Sequence, residues 1–289
     1  MATDPVSLVS TDWLAANLDR SDLRVLDCTV FLHRTQHEPG YVVESGREHW
    51  RQGHIPGSGL ADLTGDLCAV DTELRFAVPT PEQFALAMGN LGVGDGTQVV
   101  LYDAQGSMWA ARVWWMLRWI GFDAAAILDG GWKAWRAEDR PISTDEPTHP
   151  PAVLTAHPRP RLIAGKEEVM AAVGSGSTCL IDALGAAQYR GEEHTYGRRG
   201  HIPGAANVPA RDLVDAATGR FLGDDELATL LDGDRHARTV TYCGGGIAAS
   251  AVAFALTRLG FDDVAVYTAS LQEWTADPDA PLVTGSAAG

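Results

Sequence analysis

The pentapeptide Gly53-His54-Ile55-Pro56-Gly57 returns as Gly200-His201-Ile202-Pro203-Gly204. Other landmarks return in the same order. Val99-Val100-Leu101-Tyr102-Asp103 matches Thr239-Val240-Thr241-Tyr242-Cys243, and Ile120-Gly121-Phe122 matches Leu259-Gly260-Phe261. Trp135 answers to Trp274, and Leu26-Asp27 to Ile181-Asp182. The spacing drifts between about 139 and 155 residues, as loop insertions would make it. Such a chain is restricted to two versions of one domain, and its 289 residues give each version room for its own core. Between the copies, six prolines from Pro141 to Pro160 favour a stiff, extended connector. The expected division is therefore 1–140, a proline-rich linker over 141–160, and 161–289.

Within each copy, short β-branched runs alternate with helical patterns. Leu23–Leu26, Gln98–Tyr102 and Ala126–Leu128 read as strands in the first, and Cys179–Ile181, Thr239–Tyr242 and Val264–Tyr267 in the second. The helices are long and apolar, notably Trp109–Ile120 and Ala248–Leu259. This alternation predicts an α/β fold, with a parallel sheet in each copy covered by helices on both faces. Trp109, Trp114, Trp115 and Trp119 are spaced as packing faces of one helix and are expected in the core or between domains.

The chemistry concentrates at Cys243. It ends the strand Thr239–Tyr242 and opens Cys243-Gly244-Gly245-Gly246-Ile247-Ala248, after which a helix begins. Glycines let successive amides turn inward, and the helix start adds partial positive charge. That cradle favours a thiolate nucleophile and would hold an oxyanion equally well. It lies beyond the carboxyl end of a strand, where ligands bind in such sheets. The other cysteines lack this setting. Cys28 and Cys179 read as small core residues on strands, and Cys68 as a thiol in a polar loop. No CxxC pair or Cys/His spacing indicates a disulfide framework or a metal site.

Charge narrows the partners. The formal net charge is −16, from 22 basic and 38 acidic residues, which disfavours nucleic acid and anionic membranes. A small anionic substrate would need local positive groups to overcome that field. No apolar run is long enough to span a bilayer, and the start Met1-Ala2-Thr3-Asp4-Pro5 has no signal-peptide pattern, so the expected location is cytoplasmic.

The duplicated domain, the paired GHIPG turns and the strand–Cys–glycine loop–helix together resemble the tandem-domain rhodaneses, the thiosulfate and 3-mercaptopyruvate sulfurtransferases. Tyr41–Gly57, Val99–Trp135, Gln188–Pro209 and Val240–Trp274 carry the resemblance. It implies two rhodanese-like domains, the first without a catalytic cysteine because Asp103 stands in its place. It implies transfer of sulfane sulfur through a Cys243 persulfide, from 3-mercaptopyruvate or thiosulfate to cyanide, a thiol or a reduced redox protein. No metal or organic cofactor is required.

The loop Gly244-Gly245-Gly246-Ile247-Ala248 is neutral and looks like the mercaptopyruvate type, although Gly245 and Ala248 stand where that type has serine and threonine. The family's serine-based proton relay therefore cannot be carried over. His54 remains at its matching turn, where Glu44 or Glu48 would orient it, or else it only pins the turn. Arg190 matches a family substrate arginine, whereas Leu184 stands where a second usually lies, with Arg198 or Arg199 as substitutes. Thr268-Ala269-Ser270-Leu271 departs from the first copy's Asp129-Gly130-Gly131-Trp132. Two other readings stay open. A cysteine phosphatase would need arginine after Cys-x5, but Ala248 and Ala249 occupy that region. A weak or inactive rhodanese-type binding or sulfur-relay module is the alternative that the missing side chains at 184 and 245 favour.

Overall fold

The computed structural model describes residues 7–35, 40–193 and 195–286. The first half opens with β1 (Ser7–Val9), α1 (Thr11–Asn17), β2 (Leu23–Asp27), β3 (Val30–Arg34), β4 (Tyr41–Ser45) and α2 (Arg47–Gln52). It continues through β5 (Gly59–Leu60), α3 (Pro81–Asn90), β6 (Gln98–Tyr102), α4 (Met108–Trp119), β7 (Ala125–Leu128) and α5 (Gly131–Ala137). The second half runs through β8 (Ile163–Ala164), α6 (Lys166–Ala172), β9 (Cys179–Asp182), α7 (Ala186–Tyr189) and β10 (Ala206–Asn207). It ends with α8 (Asp224–Leu230), β11 (Thr239–Tyr242), α9 (Ile247–Arg258), β12 (Val264–Tyr267) and α10 (Ser270–Ala276).

Each half builds one five-stranded parallel sheet. Their orders, β1-β7-β6-β2-β5 and β8-β12-β11-β9-β10, are the same topology twice. Even the register repeats, since Asp27 pairs with Tyr102 and Asp182 with Tyr242. Central strands β6 and β11 are buried almost throughout, as continuous apolar runs in doubly covered sheets must be. Local signals place the helices. Thr80 and Gln83 form a reciprocal capping box on α3, with Pro81 in its first turn.

One core cluster spans both halves, beside a smaller cluster within each. α4 packs on α9, where Trp114 meets Phe254 edge-on with ring centres 4.9 Å apart. Trp114, Trp115 and Trp119 are accordingly buried in packing roles. One expectation fails: Cys179 is exposed, because it begins its strand instead of lying within it. The hairpin β3–β4 was not foreseen either. Among the described residues it belongs only to the first half, and its Arg34 forms an ion pair with Glu193 of the second.

Two strand-end carboxylates carry a pH signature. Burial raises Asp182 to about 7 and Asp27 to about 6, outweighing the amide hydrogen bonds from Leu184 and Thr29. Both are ordinary near 3.8 when exposed. The folded state therefore prefers the neutral acids. Their contribution is intact below about pH 4 and is lost as pH rises toward 6–7, by at most about 1.4 kcal/mol per pH unit for each group. Asp182→Asn should flatten the fall in urea-unfolding free energy between pH 5 and pH 8. An unchanged slope would remove Asp182 as its source.

Candidate active site

Cys243 follows β11 directly, and the turn through Gly244–Gly246 delivers the chain into α9. Its sulfur accepts the Gly246 amide at 3.1 Å, and its own amide donates to Ser270 Oγ at 3.1 Å. The residue is 3% exposed, yet it lines a cavity of about 550 Å³ together with Gly244, Gly245, Ile247 and Ala248. The twelve residues of α9 direct their positive dipole end at this point.

The first half shows what such a loop can hold. Asp103 occupies the position equivalent to Cys243, and its carboxylate accepts four amides. Gln105 and Ser107 donate to Oδ1 at 2.7 and 2.9 Å, and Trp109 and Ala110 to Oδ2 at 2.9 and 2.8 Å. The strand–loop–helix turn converges its N–H groups on those oxygens, which favours the charged carboxylate, while burial, the larger influence, pulls Asp103 above its ordinary range.

The loop glycines are required by what packs on them. A Cβ at Gly244 would overlap the Tyr196 hydroxyl, and one at Gly245 would overlap the Gln272 side-chain amide. Gln272 is fixed there: its Oε1 accepts the Arg75 amide at 2.9 Å, and its Nε2 donates to the Arg75 carbonyl at 3.2 Å. Segment Arg75–Phe76 of the first half thus roofs the cysteine loop of the second. Phe76 has a left-handed φ of 60°, which is costly for a bulky residue. Its ring lies edge-on to Trp109, and its carbonyl accepts Arg112 Nη2 at 3.0 Å.

Arg112 is the hidden member of the site. It projects from α4 and is fully buried, with Nη1 3.5 Å from the Gly246 carbonyl and its guanidinium 5.1 Å from the Trp115 ring centre. Burial lowers it to about 10, so it stays charged at neutral pH, and its field falls on Cys68 and Cys243. Burial also pushes the Cys68 thiol up to about 11.

The residues that the sequence points to are distributed differently. Arg190 lies outside the cavity lining and forms a bidentate pair with Glu192 at 2.7 and 2.9 Å. Gln188 lines the cavity instead, because two helical positions are about 200° apart and face opposite ways. Arg198 donates to the carbonyls of Pro278 and Ala280, and Arg199 to those of Gly191 and Glu192. Neither lines the cavity. His54 is buried and stacked on Trp50, with ring nitrogens facing the carbonyls of Trp50 and Asp145. Glu44 pairs with His33 and Glu48 with Gln52, so His54 pins a turn.

The basic groups at the cavity are Arg34, Arg75 and Arg211, against Glu193. Arg34 is neutralised by Glu193, whereas Arg211 has only a long 3.6 Å contact with Asp212. Leu184 lines the wall where the resemblance expects an arginine, and Trp109 joins it as a wall residue in addition to packing.

The rhodanese-like domain model matches residues 10–138 and again 166–277. The chain belongs to the rhodanese family. A probable 3-mercaptopyruvate sulfurtransferase of Pseudomonas aeruginosa is 35% identical to this rhodanese over 96% of the chain and 98% of its own length. The 3-mercaptopyruvate sulfurtransferase of Homo sapiens is 32% identical over 93% and 91%. The structure of Escherichia coli SseA, a 3-mercaptopyruvate sulfotransferase, superposes with a TM-score of 0.77 at 30% identity, covering 91% of this chain and 98% of its own. Among the described residues, no helix of this rhodanese is long and apolar enough to cross a membrane.

Proposed function

We propose that this rhodanese-family chain is a sulfurtransferase. It moves sulfane sulfur from 3-mercaptopyruvate or thiosulfate to a thiophilic acceptor, through a persulfide on Cys243. The observation that carries the reading is the cysteine sulfur held by the Gly246 amide at 3.1 Å on the wall of an open cavity, in a nest whose first-half copy already holds a carboxylate. The 3-mercaptopyruvate sulfurtransferases that it resembles over nearly their full length support the same chemistry.

In this reading the Cys243 thiolate attacks the outer sulfur of the donor. The bond between that sulfur and the rest of the donor breaks, and pyruvate or sulfite leaves. The persulfide's terminal sulfur then rests among the loop amides, as an oxyanion does in its hole. Cyanide, a thiol or a reduced redox protein attacks it and regenerates Cys243. Arg75 and Arg211 offer the donor's anionic end the local positive charge that a chain of net charge −16 otherwise lacks. The site needs no metal or organic cofactor for this sequence of steps. Four free cysteines fit a reducing compartment such as the cytoplasm.

Incubation with either donor, followed by peptide mass spectrometry, tests the proposal. A gain of about 32 Da confined to Cys243, discharged by cyanide and absent in Cys243→Ala, is the expected result. No adduct with either donor would instead favour a rhodanese-type binding module.

A further inference from the structure

Resting on that reading, we propose that Tyr196 is the proton-relay residue for the mercaptopyruvate half-reaction, supplied from outside the cysteine loop. Its hydroxyl lies against Gly244, the residue after the nucleophile, where no Cβ would fit. It lines the same cavity as Cys243. Its ring packs on the second-half core with Ile202, Tyr242 and Trp274, which holds the phenol in place. Among the described residues no hydrogen bond to this hydroxyl is found. Three neighbours of the loop are already engaged: Ser270 accepts the Cys243 amide, Gln272 pairs with the Arg75 backbone, and Arg112 donates to the carbonyls of Phe76 and Gly246. Burial, then the nearby Cys243, push the Tyr196 phenol well above its ordinary range, so it stays protonated and available as a donor.

The two sulfur donors make different demands on a proton. When the Cys243 thiolate attacks the thiol sulfur of mercaptopyruvate, an S–S bond forms and the S–C3 bond breaks. The released electron pair leaves as the enolate of pyruvate, while the thiol's proton stays on the outer persulfide sulfur. Tyr196 gives its proton to C3 of the enolate and takes back the proton on that sulfur in one concerted movement. The products are pyruvate and an ionised persulfide, with no net change in protons or electrons. Thiosulfate needs no such step, because the S–S electron pair leaves on sulfite, a stable anion. The loop itself has no hydroxyl at Gly245 or Ala248, so the phenol fills the place that they leave open.

Tyr196→Phe keeps the ring and removes only the hydroxyl. With 3-mercaptopyruvate as donor and cyanide as acceptor, kcat should fall about 10- to 100-fold while KM stays within roughly threefold. With thiosulfate and cyanide, kcat should stay within roughly threefold of the wild type. A merely structural tyrosine would move both donors together, so equal losses overturn the proposal. Unchanged mercaptopyruvate turnover overturns it too, as does a wild-type protein that draws sulfur from thiosulfate alone. In each of those outcomes, the 32 Da adduct on wild-type Cys243 reports separately on the sulfurtransferase reading.

Discussion

Arg112→Met should lower kcat/KM with either donor by about 10²–10³-fold, with a much smaller effect on folding. The buried guanidinium joins the Phe76 carbonyl of the roof to the Gly246 carbonyl of the cysteine loop, and its charge bears on Cys243. Methionine fills similar volume but brings neither the charge nor the fork. Removing a preorganised group that stabilises developing negative charge costs about 10²–10³ in rate. Stability should respond weakly, because replacing a buried ion with an apolar side chain also relieves desolvation. Arg112→Lys restores the charge without the planar fork and should recover part of the loss, which separates field from anchoring. Steady-state kinetics beside urea melts decide the matter. Less than a threefold change in kcat/KM would show Arg112 to be packing alone.

Gly246→Ala should be as damaging to activity and should also weaken the fold, by about 3 kcal/mol. Gly246 has a φ of 83°, and an added Cβ would stand 2.8 Å from Arg112 Nη1 and 2.9 Å from the Thr268 carbonyl. The left-handed backbone alone costs a non-glycine residue about 1–2 kcal/mol. Arg112 can retreat, but the Thr268 backbone cannot without disturbing β12. Relief must then come from the loop, which would carry the Gly246 amide away from the Cys243 sulfur. Persulfide formation at Cys243 should fall about 10²-fold or more, followed by mass spectrometry over time. A variant that forms the adduct at the wild-type rate would show this amide to be dispensable.

The fold was legible because its signals are local or repeated. The runs Gln98–Tyr102 and Thr239–Tyr242 are central strands as their composition requires, and the duplicated GHIPG turns fixed two equivalent sheets. Edge strands of two or three residues, such as β5 and β10, leave too short a pattern to read. The cysteine loop was legible as well, though its glycines carry a second meaning. They admit Tyr196 and Gln272 as much as they orient amides.

The walls and roof of the site were not legible. Tyr196 and Gln272 reach the cysteine loop from distant parts of the second half, and Arg75 joins them only when the halves dock, so no spacing along the chain relates them. Arg112 lies inside the buried run Met108–Trp119, where a packing pattern conceals a cation beside the cysteine loop. Arg190 is expected at the substrate from the family resemblance, but the short helix α7 turns Gln188 to the cavity instead.

Asp103 gives the earlier half a permanent tenant. A receptor for negative charge that carries its own occupant never competes with the working site for sulfur donors, and its turn keeps its shape whether or not any small molecule is at hand. The silent copy is thereby free to act as scaffolding, lending Arg75, Phe76 and Arg112 to its twin. Neither copy alone would hold a complete reaction chamber.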